Sequence, residues 1–161
     1  MNLFLTGEKR VGKSTIIKRV LADFPGKVCG FYTLPLMGMK GFVLEDILTG
    51  ESLAISKDSP VDLTEVFEDL GVKILSRCLA NRPDLLIMDE LGRFEKEAYG
   101  FKRKVLDCLD SDVAVLGVVQ KETEWLEVFG RRADTVILRV DETNREEVYL
   151  QVKEIMDEVP G

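Results

Sequence analysis

Gly7-Glu8-Lys9-Arg10-Val11-Gly12-Lys13-Ser14 is the stretch that decides the fold of this chain. It fits the pattern G-x-x-x-x-G-K-[ST], and its setting fits too: the apolar run Asn2–Thr6 precedes it and a helical pattern opens at Lys13. Glycines let such a loop wrap around phosphates with no Cβ in the way. Inward-turned backbone N–H groups form an anion-binding nest, and the positive end of the following helix faces the same point. The stretch therefore predicts a nucleoside triphosphate held by Gly7, Glu8, Lys9, Arg10, Val11, Gly12, Lys13, Ser14 and Thr15. Lys13 can bridge the β- and γ-phosphates, and the Ser14 hydroxyl can ligate Mg²⁺. The competing reading is a surface glycine turn that merely starts a helix, which the strand before and the helix after disfavour.

Outward from the loop, strand and helix patterns alternate. Lys13–Phe24 places Ile16, Ile17, Val20, Leu21 and Phe24 on one helical face, and Pro25-Gly26 stops it. Val28–Leu34 reads as a strand. Phe42–Ile47 and Leu53–Ser56 are β-prone runs within a segment of about 37–56, with Gly38 and Gly41 at a turn, and they predict a β-hairpin added to the main sheet. Asp62-x-x-Glu65 resembles a capping box opening a helix through Leu79. Gly71 inside that helix predicts a kink or break. Asp84–Met88 is an apolar strand ending in Asp89-Glu90. A helix over roughly Lys96–Leu109, the strand Val113–Val119, a helix around Glu122–Phe129, the strand Thr135–Val140 and a last helix from about Asn144 complete the chain. Strands apolar throughout belong to a parallel sheet covered on both faces. The expectation is one α/β domain over 1–161: a three-layer phosphate-loop (P-loop) NTPase fold with an inserted β-hairpin.

Leu85-Leu86-Ile87-Met88-Asp89-Glu90 resembles the second motif of such proteins, a buried strand delivering carboxylates at the sheet edge where ligands bind. Asp89 can hold Mg²⁺ opposite Ser14. Glu90 can orient and partly deprotonate the water that attacks the γ-phosphate. Catalysis is therefore expected from Glu90 and Lys13, with Ser14 and Asp89 on the metal. The plainer reading is an Asp-Glu pair that only solvates a strand end, which the upstream loop outweighs. Val113–Val119 is expected to lie between the loop strand and the Asp89 strand. Its exit, Gln120 and Lys121, is then either a sensor of the γ-phosphate or an ordinary polar end. Arg131 and Arg132 either complement a helix dipole or supply an arginine finger.

Composition narrows the rest. A net charge of −7 argues against sequence-independent nucleic-acid binding. There is no histidine, which removes Ser-His-Asp and Cys-His chemistry and makes zinc a poor fit. Cys29, Cys78 and Cys108 read as core residues of a reducing compartment, and no apolar run is long enough for a membrane span, so a cytoplasmic setting is expected. Only five residues are Asn or Gln while 32% are charged, a balance found in proteins of hot environments.

Several segments also resemble a known family. Glu8–Thr15, Gly30-Phe31-Tyr32-Thr33, Thr49-Gly50-Glu51, Met88-Asp89-Glu90-Leu91-Gly92 and Thr143-Asn144-Arg145 stand in the order seen in small nucleoside-triphosphatases. This is the family of the cancer-related nucleoside-triphosphatase and its archaeal and bacterial counterparts. The resemblance implies hydrolysis of ATP, GTP and other triphosphates to diphosphate and phosphate. By match, the loop holds phosphates while Asp89 and Glu90 serve metal and water. The family loop usually reads G-x-P-G-x-G-K-T-T; here the proline and middle glycine are missing, Ser14 replaces threonine, and Phe94 stands where methionine is common. Two other functions fit the loop: a small-molecule kinase, and a nucleotide-gated switch or partner-binding module. No [NT]-K-x-D segment reads guanine, which disfavours a GTPase switch.

Overall fold

The computed structural model describes residues 1–36, 41–56, 63–92 and 97–160. Asp62 of the expected capping box, Gly38, Phe94 and the expected helix start at Lys96 lie outside them. Strand β1 (Asn2–Thr6) runs into the glycine loop and helix α1 (Lys13–Asp23). Strands β2 (Val28–Pro35), β3 (Gly41–Asp46) and β4 (Ser52–Ser56) follow, then α2 (Leu63–Val66), a π-helical turn (Phe67–Gly71) and α3 (Val72–Asn81). The second half alternates: β5 (Leu85–Leu91), α4 (Tyr99–Asp110), β6 (Ala114–Val119), α5 (Glu124–Gly130), β7 (Thr135–Arg139) and α6 (Arg145–Asp157).

The strands form one sheet in the order β4-β3-β2-β5-β6-β1-β7. From β2 to β7 every neighbouring pair is parallel. β6 sits between the loop strand β1 and β5, as the sequence predicts. β3 and β4 add antiparallel at one edge, with Pro35 opposite Phe42 and Glu45 opposite Ser52, so the expected hairpin is present as the outer part of a meander.

Alternate side chains on each central strand enter two apolar layers, which is why the strands read as unbroken apolar runs. Phe4, Leu86, Met88, Val115 and Val119 meet the face covered by α3, α4 and α5, through Leu75, Phe101 and Phe129. Leu3, Leu5, Leu85, Ile87, Leu116 and Val118 meet the face covered by α1 and α6, through Ile17, Val20, Val148 and Val152. The three layers of an α/β fold follow directly.

Gly71 marks a break, and its form is a π turn rather than a simple kink. A Cβ there would lie 2.7 Å from the Phe101 ring. The widened turn lets α4 approach closely at the glycine while Phe67 and Phe101 pack with ring centroids 5.1 Å apart. The Thr49-Gly50-Glu51 turn lies at the N-terminal edge of the parallel strands. There the buried Asp46 carboxylate accepts hydrogen bonds from the N–H groups of Leu48 and Thr49, and Arg77 of α3 pairs with Asp46 and Glu51. That segment shapes the meander and is remote from the glycine loop.

Candidate functional site

The glycine loop leaves β1 at the C-terminal edge of the sheet and closes on α1. Gly7 and Gly12 have φ of 141° and 98°, and Arg10 is also left-handed at 61°. Arg10 stands at the middle-glycine position of the resembling family, and a non-glycine residue there carries backbone strain of about 1–2 kcal/mol. Val11 turns into the core and fixes the loop to the α1 face. Glu8, Lys9, Arg10, Ser14 and Thr15 stay exposed around the mouth.

Lys13 is only 7% exposed. Its ammonium donates to the carbonyls of Gly7 at 2.6 Å and Glu8 at 2.9 Å, which ties both ends of the loop together. Burial pulls its pKa below the ordinary lysine value, while Glu90, Asp89 and Glu8 act in the opposite direction. Lys121 forms an ion pair with Glu8, holding the exit of β6 against the loop and lowering the Glu8 pKa.

β5 delivers the two carboxylates at the same edge. The Ser14 hydroxyl donates to Asp89 Oδ1 at 3.0 Å, although 75 residues separate them. Asp89 is 3% exposed. Burial pushes its carboxyl up to about 6, against the Ser14 hydrogen bond that lowers it. A register shift between Asp89 and Leu91 in the β5–β6 pairing sets Glu90 off from the strand's regular alternation. Gln120 Nε2 then donates to Glu90 Oε1 at 2.6 Å.

Thr33, at the end of the Gly30-Phe31-Tyr32-Thr33 stretch, is a site residue to which the sequence pattern assigns no role. Its hydroxyl accepts from the Glu90 N–H at 3.0 Å and donates to the Asp89 carbonyl at 3.3 Å. It thus clamps the irregular end of β5. Thr33→Val keeps the shape and removes both bonds, so a loss of about 1–2 kcal/mol in unfolding free energy is expected from urea titration. An unchanged midpoint would show that the clamp is idle. Arg145, in the Thr143-Asn144-Arg145 segment, also reaches the loop: a Cβ on Gly12 would lie 3.0 Å from its Cδ.

Of the two readings of Arg131 and Arg132, the arginine finger is not met within this chain. They precede β7, and Asn2 N–H at the start of β1 bonds the carbonyl of Asp134, so they lie at the sheet edge opposite the glycine loop. Arg132 pairs with Asp110 and Asp134, and Arg131 with Glu127. The remaining predicted residues, from Gly7 to Thr15 with Asp89, Glu90, Gln120 and Lys121, share the C-terminal edge. Among the described residues no helix is long and apolar enough to cross a membrane.

A parallel sheet with one strand between the loop strand and the carboxylate strand, and a lysine loop facing that carboxylate, defines the class of phosphate-loop NTPase folds. The relatives narrow it. A model of the NTPase family matches residues 2–153. The chain is 29% identical to the nucleoside-triphosphatase THEP1 of Thermotoga maritima, covering 97% of this chain and 95% of that one. It is 27% identical to the THEP1 of Natranaerobius thermophilus over 91% of each. The crystal structure of THEP1 from Aquifex aeolicus shares the fold with a TM-score of 0.83 at 21% identity, covering 98% of this chain and 99% of that chain. A human cancer-related nucleoside triphosphatase does so with 0.74 at 23% identity, covering 99% of both. The chain belongs to the NTPase family, enzymes that hydrolyse nucleoside triphosphates.

Proposed function

We propose that this protein is a Mg²⁺-dependent nucleoside-triphosphatase that hydrolyses ATP, GTP and other triphosphates to diphosphate and phosphate. The observation that carries this reading is the Ser14–Asp89 hydrogen bond with Glu90 as the next residue. It joins the phosphate loop to a carboxylate pair at one edge of the sheet.

The donor set fits the cation. A hydroxyl and a carboxylate oxygen 3.0 Å apart are hard oxygen ligands. Among the described residues no cluster of three or more His, Cys, Asp or Glu could hold a metal. A cation that takes one or two protein oxygens and fills its shell with phosphate and water is Mg²⁺. Ser14 and Asp89 would hold it, and when bound it neutralises phosphate charge and orients the β- and γ-oxygens.

The chain's own residues do the remainder. The loop N–H groups from Glu8 to Ser14 bind the phosphates, and Lys13 exchanges its two carbonyl partners for phosphate oxygens. Glu90 accepts the proton of an attacking water as its oxygen bonds to the γ-phosphorus. The bond to the leaving diphosphate oxygen breaks, and inorganic phosphate departs. The sequence carries no [NT]-K-x-D segment, which supports tolerance of the base. The net charge of −7 leaves nucleic acid a poor partner.

The test is phosphate release from a panel of purine and pyrimidine triphosphates, with Mg²⁺ and with a chelator. Release of diphosphate and phosphate in equal amounts is expected, lost on chelation and restored by Mg²⁺. Diphosphate without free phosphate, in the presence of nucleosides or sugars, would replace hydrolysis by transfer.

A further inference from the structure

We propose that Gln120 is the positioning residue for Glu90, and that Gly92 is the socket through which it reaches. The inference rests on the reading of Glu90 as the group that takes the water's proton.

Gln120 leaves β6 with its backbone fixed on both sides. Its N–H donates to the Leu91 carbonyl at 2.8 Å, and its carbonyl accepts from the Thr123 hydroxyl at 2.8 Å. Trp125 of α5 donates its indole N–H to the Gly92 carbonyl at 3.3 Å, pinning the chain just after β5. Two strand exits are thereby held in register, and the Gln120 side chain crosses from one to the other. A Cβ on Gly92 would sit 2.5 Å from Gln120 Oε1 and 2.6 Å from its Cδ. No side chain larger than hydrogen leaves this path open, which gives the glycine of the Asp89-Glu90-Leu91-Gly92 segment a physical reason.

The chemistry of the contact has one orientation. An ionised carboxylate only accepts hydrogen bonds, so the amide must present its NH₂ to Glu90 and its carbonyl to Gly92. The 2.6 Å contact holds Oε1, leaving Oε2 as the oxygen that can accept from water. Thr33 fixes the backbone of Glu90 and Gln120 fixes its carboxylate, so the side chain is constrained at both ends. Holding a reacting group in place matters because a displacement of about 1 Å costs up to about 100-fold in rate.

The experiment compares wild type, Gln120→Ala, Gln120→Glu and Gly92→Ala, measuring kcat, KM, nucleotide affinity and thermal midpoint. Gln120→Ala is expected to lower kcat by roughly 10- to 100-fold with KM and affinity unchanged. Gln120→Glu, which sets a second carboxylate against the first, is expected to lose more. Gly92→Ala, which never touches the reacting atoms, is expected to reproduce the kcat loss by displacing Gln120. Unchanged or raised kcat in a folded Gln120→Ala overturns the inference, because the contact would then be idle or a restraint on Glu90. The Gln120→Ala result decides the matter even if Gly92→Ala does not fold. A fully active Glu90→Gln is a separate failure, since it removes the role of Glu90 itself.

Discussion

Glu90→Gln is expected to lower phosphate release by about 10³-fold while nucleotide still binds, and Lys13→Ala is expected to lose both. The two variants separate because the residues act on different things. Lys13 sits inside the loop, bonded to the carbonyls of Gly7 and Glu8, and its buried charge is poised to transfer to a phosphate. Its loss removes attraction for the ground state as well as for the transition state. Glu90 lies at the end of β5, outside the loop, where its carboxylate accepts from Gln120. Glutamine keeps its size and can still meet Gln120, so the pocket is undisturbed while the proton acceptor is gone. Thermal melting reads binding independently of turnover. A ligand at 100 times its Kd adds about 2.7 kcal/mol to the folded state. For a chain of this size that is a rise of roughly 5–10 °C. Wild type with a non-hydrolysable analogue and Glu90→Gln with triphosphate should both show it, and Lys13→Ala should not. If Glu90→Gln turns over at the wild-type rate, water activation belongs to another group.

Much of this architecture is legible in the chain because a doubly covered parallel sheet writes itself as unbroken apolar runs. Leu85–Met88 and Val113–Val119 are such runs, and the placement of β6 between β1 and β5 follows once the loop and the Asp89 strand are recognised. The order of elements also decides against Arg131 and Arg132. Residues just before a parallel strand lie at the edge opposite the loop that follows its neighbour, and basic residues near a helix end follow from the dipole alone. The contacts around Glu90 are of another kind. Gln120 is 30 residues away from it and Thr33 is 57, and the reach of an amide across a glycine depends on an irregular strand end that no periodicity records. The π turn at Phe67–Gly71 is half legible: glycine signals a break, while its form depends on how closely Phe101 approaches. The left-handed Arg10 is likewise visible only in the folded loop, where it explains how a chain lacking the usual glycine still closes around the site.

Asp89→Asn is expected to abolish turnover and yet raise the melting temperature of the nucleotide-free protein in chelator at pH 8. Asp89 is 3% exposed, and burial lifts its carboxyl from 3.8 to about 6. The folded state therefore binds this proton more tightly than the unfolded chain does. Above pH 6 the ionised carboxylate opposes folding; the opposition fades as pH falls towards 3.8 and is absent below it. At about 1.4 kcal/mol per unit the shift bounds the cost near 3 kcal/mol. Asparagine keeps an oxygen to accept from the Ser14 hydroxyl and carries no charge. A gain of about 1–3 kcal/mol at pH 8 follows, or roughly 3–10 °C. The difference between variant and wild type should shrink as pH falls and vanish near pH 3, where Asp89 is protonated in folded and unfolded chains alike. Addition of Mg²⁺ and triphosphate should then invert the order, because only the wild type has a charge there to meet the cation. A variant that melts with or below the wild type at pH 8 would mean that the buried charge is balanced by the lysines around it, Lys18 and Lys13, and that the site is at rest without its ligand. The expected inversion instead makes Asp89 a charge kept buried for its ligand at the expense of the empty fold.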